Sequence, residues 1–169
     1  DEAEDRPLEQ SPPNERFAQI DSSFKSEFER GGDFLLSATN DNLELREVYF
    51  FSPINGYNIS APFDPLNGHF GIDVVSRKDE PIKSIADGTV IFADWTQNDG
   101  YVIAVQHSQD LISVYKHNSI LTKEIGAIVN AGDILAIIGN TGERTSGPHL
   151  HFELWYDGAA VNPEEFISF

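Results

Sequence analysis

Cysteine and methionine are both absent from the 169 residues. Without cysteine no disulfide can form in any compartment, and zinc sites built on thiolates are excluded. A cysteine-free chain fits an exported protein without requiring export. Without methionine, residue 1 is not a translational start, so a processed piece with an upstream signal or membrane anchor is expected. Basic residues are scarce: 11 Lys and Arg against 28 Asp and Glu give a formal net charge of −17. That balance argues against nucleic acid as a partner, because such binding draws on lysine and arginine. It argues equally against electrostatic docking on anionic lipid. No apolar run is long enough to span a bilayer.

What is present supports a folded core. Hydrophobic residues make up 40% of the chain and aromatics 11%, over a length suited to one main domain. Residues 1–13 are acidic, carry prolines and show no periodicity, and are expected to form a flexible lead-in. Phe17, Ile20, Phe24 and Phe28 then recur at spacings of three, four and four. That stripe predicts a short N-terminal helix within a helical segment and linker over 14–46, capped near Asn14 and stopped by Gly31-Gly32. From residue 47 to 169 the pattern changes to short β runs: 48–51, 88–93, 101–105, 111–115, 134–138 and 149–156. Turn signals such as Asn98-Asp99-Gly100, Ala131-Gly132-Asp133 and Asp157-Gly158 separate them. The fold class is therefore mainly β, an antiparallel sheet domain.

The chemistry concentrates in Gly147-Pro148-His149-Leu150-His151-Phe152-Glu153. His149 and His151 are one residue apart on an apolar run, so in a strand they share a face. Packing gives no reason to bury two imidazoles side by side, whereas a divalent cation in front of them does. Glu153 has the same parity and suits a role in orienting an imidazole. Upstream, His69 and Asp73 stand four apart, and two nitrogen donors, one oxygen donor and an open position form the usual layout of a catalytic zinc site. A straight strand would hold His69 and Asp73 roughly 13 Å apart at about 3.3 Å per residue, so joint ligation needs a bend, for which Gly71 is suited. His117 ends the run at 111–115 and reads either as a site residue or as an exposed strand-end histidine. His107 ends the preceding run and reads as an exposed strand-end histidine. The run Gly139 to Gly147 lacks the lysine and the following helix of a phosphate loop, and the HExxH signature is absent.

These residues resemble the lysostaphin-type zinc endopeptidases that cut peptidoglycan peptides. The resemblance runs from about Phe51 to Phe169 and rests on His69-Phe70-Gly71-Ile72-Asp73, Tyr115-Lys116-His117 and Gly147-Pro148-His149-Leu150-His151. Weaker matches are Ala86 to Val90, Ala131-Gly132-Asp133 and Val161-Asn162-Pro163. It implies a lysostaphin-type β fold with a narrow substrate groove walled by loops. It implies that His69, Asp73 and His151 hold zinc, and that His117 and His149 are catalytic histidines outside the metal shell. Asn118 and Gln106 depart from the family's habits at positions away from the metal set.

The implied activity is a zinc metalloendopeptidase, a hydrolase using zinc-activated water on stems or cross-links of bacterial peptidoglycan. The implied setting is exported, in the periplasm or cell envelope, as a monomer. Thr141, Thr145 and Ser146 are expected in one groove wall, and 60–68 in the other. Two alternatives accompany this expectation. A non-catalytic module would regulate another wall hydrolase, but family members of that kind typically lack part of the metal set, which is complete here. An autoinhibited enzyme would use the N-terminal helix or a side chain such as Asn67 to block the groove, and deletion of residues 1–46 would then raise activity.

Overall fold

The computed structural model describes residues 49–56, 58–108, 110–142 and 147–169. The lead-in at 1–13, the helical segment at 14–46, and Thr145 and Ser146 lie outside the described residues. The described chain is mainly β. Strands β1 (Asn58–Ala61), β2 (Ile72–Val75), β3 (Pro81–Lys83), β4 (Gly88–Thr96), β5 (Gly100–Gln106) and β6 (Leu111–Asn118) come first. Then follow β7 (Ile120–Leu121), β8 (Ile128–Val129), β9 (Ile134–Ile137), β10 (Leu150–Tyr156) and β11 (Ala159–Val161). Short 3₁₀ turns occupy Pro65–Asn67 and Pro163–Glu165. No helix among the described residues is long and apolar enough to cross a membrane.

Two antiparallel sheets are built from these strands. The larger has the order β1-β2-β10-β6-β5-β4-β8, with β11 paired to β10. The smaller has the order β3-β9-β7. The β10–β11 connection is the tightest hairpin, with Tyr156 opposite Ala159. Its two turn residues, Asp157 (φ 49°) and Gly158 (φ 78°), are both left-handed, which is the type I′ geometry that Asp-Gly favours. The expected run at 48–51 differs from the sequence reading. Tyr49–Phe51 joins no ladder, although Phe51 N–H donates to the Ile85 carbonyl at 2.8 Å and Phe50 is buried. Pro53, which has no N–H, prevents the run from extending as a paired strand.

Central strands carry apolar residues on both faces. Ile103, Val105, Tyr115, Phe152 and Leu154 belong to the main core, with Ile72, Ile82 and Leu135. Their neighbours Val102, Ala104, Val114 and Trp155 belong to a second, smaller cluster with Phe70 and Phe92. Alternation along each strand thus assigns the two clusters to opposite faces of the large sheet. In register, His151 lies opposite Asp73 on one side and opposite Lys116 on the other. Directly opposed residues share a face, so the polar centre sits on the face of the smaller cluster.

Candidate metal centre

His69, Asp73 and His151 bring one donor atom each to within 4.8 Å of one another, the one such group of three found among the described residues. Asp73 and His151 come together through the β2–β10 ladder. His69 arrives differently. It forms an isolated bridge with Asp64, with His69 N–H donating to the Asp64 carbonyl and Asp64 N–H to that of His69, both at 2.9 Å. The chain then bends at Gly71 before β2 begins. The bend is as expected, but the demand for glycine comes from space. A Cβ there would clash with the Phe152 carbonyl oxygen and lie 2.9 Å from Glu153 Cγ. Glycine lets the bend press against β10, and His69 Nε2 comes to 3.3 Å from Asp73 Oδ1.

Each imidazole has one nitrogen fixed by a hydrogen-bond acceptor and the other turned inward. A carbonyl oxygen can only accept, so a ring nitrogen bonded to one carries the proton. His69 Nδ1 donates to the Pro62 carbonyl (2.6 Å), His117 Nδ1 to that of Thr141 (2.8 Å) and His149 Nδ1 to that of Gly147 (2.7 Å). In the neutral form of each ring, Nε2 is left with a lone pair. His151 is held the other way round: Nε2 donates to Glu153 Oε1 at 2.9 Å, and Nδ1 faces Asp73 Oδ1 at 2.7 Å. Such outer contacts fix both the tautomer and the ring plane of a metal-ligating histidine.

The fit to a divalent cation rests on His69 Nε2. That atom is buried without a hydrogen-bond partner, since its approach to Asp73 lacks hydrogen-bond geometry. An unpaired buried nitrogen aimed at a carboxylate oxygen is costly on its own and natural for two donors that converge on one ion. The charges agree. The Asp73 carboxylate close beside it raises the His69 pKa. Burial lowers that of His151, but its bonds to Asp73 and Glu153 outweigh burial and push it up to about 9. Burial alone would raise the Asp73 carboxyl, yet the His151 hydrogen bond and the His69 ring beside it hold it well below the ordinary carboxylate range. The site attracts positive charge, and a divalent cation held there would take the place of the proton that His151 and Asp73 share.

His117 and His149 stand beside this group. Their ring centroids are 5.1 Å apart, His117 is 6.1 Å from His151, and His149 Nε2 is 3.6 Å from Asp73 Oδ1. Burial lowers the His117 pKa and keeps the ring neutral. The structure thus brings all five residues together, with His149, which lies just before β10, and His151 both directed toward Asp73.

Several supporting groups carry almost no mark in the sequence. Lys116 is buried between Glu153 Oε1 (2.9 Å) and Asp99 Oδ2 (3.2 Å), and Glu153 Oε2 accepts from Trp155 Nε1 (2.8 Å). The only sequence signal is a lysine beside His117 at the end of a largely apolar run. Thr141, expected to face peptide, turns its hydroxyl inward instead, donating to the Asn118 carbonyl (2.6 Å) and accepting from Tyr101 N–H (3.1 Å). Asn67, a candidate for blocking the groove, donates its side-chain amide to Asp64 Oδ2 at 2.7 Å within its own turn. His107 is not the exposed strand-end histidine that its position implies: it is buried, with Nδ1 donating to the Asp87 carbonyl (2.8 Å) and Nε2 accepting from Ser113 Oγ (2.7 Å).

Comparison with known proteins gives a consistent result. Residues 67–163 match the description Peptidase family M23. Murein hydrolase activator EnvC of Escherichia coli is 33% identical over 121 residues, 70% of this chain and 29% of that protein. DD-carboxypeptidase/endopeptidase Mpg of Neisseria meningitidis is 31% identical over 108 residues, 64% of this chain and 25% of that protein. The chain thus spans less than a third of the length of either relative. Among solved structures, Helicobacter pylori Csd3 superposes with a TM-score of 0.62 and 29% identity over 71% of this chain and 33% of its own. A zinc containing peptidase from Vibrio cholerae superposes with a TM-score of 0.55 and 27% identity over 71% of this chain and 36% of its own.

Proposed function

We propose that this chain, which belongs to peptidase family M23, is a zinc-dependent metalloendopeptidase that hydrolyses peptide stems or cross-links of bacterial peptidoglycan. The observation that carries the reading is the convergence of His69 Nε2, Asp73 Oδ1 and His151 Nδ1, with His69 Nε2 buried and unpaired. These three atoms would hold zinc. Bound zinc supplies Lewis acidity, which makes water a nucleophile near neutral pH and polarises the scissile carbonyl.

The chain's own groups do the rest. Glu153 and the Pro62 carbonyl aim the two ligating imidazoles. His117, kept neutral by burial, presents the Nε2 lone pair and accepts a proton from the attacking water. His149, fixed by the Gly147 carbonyl, directs Nε2 to the same space, where its imidazolium form would donate a hydrogen bond to the oxygen as charge develops, and the proton that His117 took from water passes to the departing amine. Murein is what EnvC is named for, and Mpg is named an endopeptidase; both names support a wall substrate and a setting in the cell envelope.

A second reading takes its support from the word activator in the EnvC name. On that reading the domain binds a wall hydrolase and cuts nothing. Metal content and digestion of purified peptidoglycan separate the two. The enzyme gives one zinc per chain and chelator-sensitive release of peptide fragments. The activator gives no fragments with zinc bound. Within the enzyme reading, His117→Ala and His149→Ala keep zinc but lower turnover by about 10²–10⁴-fold. Loss of zinc from either variant overturns its assignment.

A further inference from the structure

The backbone of His117 is left-handed, with φ 63°, although it lies within β6. Regular alternation would give His117 the parity of Tyr115 and send its ring into the main core. The positive φ turns the ring instead toward His149, on the face of the polar centre. A non-glycine residue in this conformation is strained, so something must hold it.

The holding groups converge on Thr141. Its carbonyl accepts from His117 Nδ1 at 2.8 Å. Its hydroxyl ties the next residue to the neighbouring strand, donating to the Asn118 carbonyl (2.6 Å) while accepting from Tyr101 N–H (3.1 Å). Glycines make the close approach feasible. Gly100 (φ 69°) has no room for a Cβ because Thr141 Oγ1 occupies that space. A Cβ on Gly139 would collide with Ser119 N and lie 2.6 Å from the Asn118 carbonyl carbon. His117 N–H also donates to the Asp99 carbonyl at 2.9 Å, which closes the nest on its other side.

We infer that Thr141 is a positioning residue for His117: its hydroxyl locks the segment whose carbonyl selects the Nδ1–H tautomer and leaves Nε2 free for proton transfer. The inference rests on the proposed function for the catalytic meaning of that tautomer, but the tautomer itself is measurable without turnover. Isosteric Thr141→Val removes the hydroxyl, and Thr141→Ser restores it.

The experiment combines nitrogen-15 NMR of the His117 ring with steady-state kinetics on peptidoglycan fragments, using the full chain with zinc. Wild type and Thr141→Ser are expected to show the Nδ1–H form alone. Thr141→Val is expected to show a mixture of tautomers. Its kcat should fall about tenfold or more, within the ~10²–10⁴ carried by a general acid–base group. KM should stay within about twofold, since substrate binding is untouched. If Thr141→Val does not fold, the smaller Thr141→Ala carries the same expectation. An unchanged tautomer and kcat in the hydroxyl-free variant, even with a lowered Tm, overturn the inference. Equal loss in Thr141→Ser overturns it too. If wild type binds zinc but releases no fragments, the functional reading fails while the NMR comparison still decides the role of Thr141.

Discussion

Glu153 gathers three donors beside the candidate metal centre. It accepts from His151, Lys116 and Trp155 together, all within 2.9 Å. Burial would raise its pKa, but the Lys116 ammonium beside it and the His151 bond hold it well below the carboxylate range. Glu153→Gln leaves Lys116 short of one anion and weakens the grip on His151 Nε2. Zinc affinity is expected to drop about 10–100-fold, read by competition with a chromophoric chelator; an unchanged affinity would remove Glu153 from the metal's support. His107 makes a different residue-scale prediction. Burial lowers its pKa below the ordinary imidazole value of 6.5. Its contribution to stability is therefore complete above that value and is lost as pH falls through the folded-state pKa, because the unfolded chain binds the proton first. The stability advantage of wild type over His107→Gln should shrink from about pH 7.5 to about pH 5 in urea melts. A pH-independent difference contradicts a neutral buried His107.

Between the residue and the molecule lie the connections that bring His69 back onto Asp73. The bend at Gly71 is pressed against the backbone of β10, so the smallest added side chain must push the strands apart. Gly71→Ala is expected to cost about 1–3 kcal/mol of stability, the usual range for overpacking. It should also weaken zinc binding, because any shift of the bend moves His69 relative to Asp73. Zinc titration and denaturant melts of the variant check both, and a fully native variant contradicts the close approach. The sheet ladders need no such device. Asp73 and His151 meet because β2 and β10 pair in register, and Lys116 meets His151 because β10 and β6 do. Strand identity is readable from alternation and turn residues. The two-faced burial of β5, β6 and β10 is not, since continuous apolar runs do not say which neighbour lies on which side.

On the scale of the whole molecule, charge is the dominant quantity. A net charge of −17 repels walls that carry anionic polymers. Raising ionic strength from about 0.01 M to about 0.15 M shortens the screening length from ~30 Å to ~8 Å. Under the proposed activity, digestion of a polyanionic wall should speed up over that range, while cleavage of a small soluble neutral peptide should not. Equal salt responses would show that the charge does not govern access to substrate.

The amino-acid sequence alone determined which residues gather at the candidate metal centre. Two imidazoles one apart in an apolar run, together with a His–Asp pair spanning a glycine, make poor packing and a good ligand set. It also determined the β class, since period-two patterning and Asp-Gly turns are local properties. Tertiary structure alone decided how the ring nitrogens are used. Pro62, Thr141 and Gly147 act through backbone carbonyls, which every residue possesses and no sequence pattern marks. It likewise decided the direction of His117, whose left-handed φ reverses what strand parity prescribes, because only contacts from a loop distant in sequence can sustain that conformation.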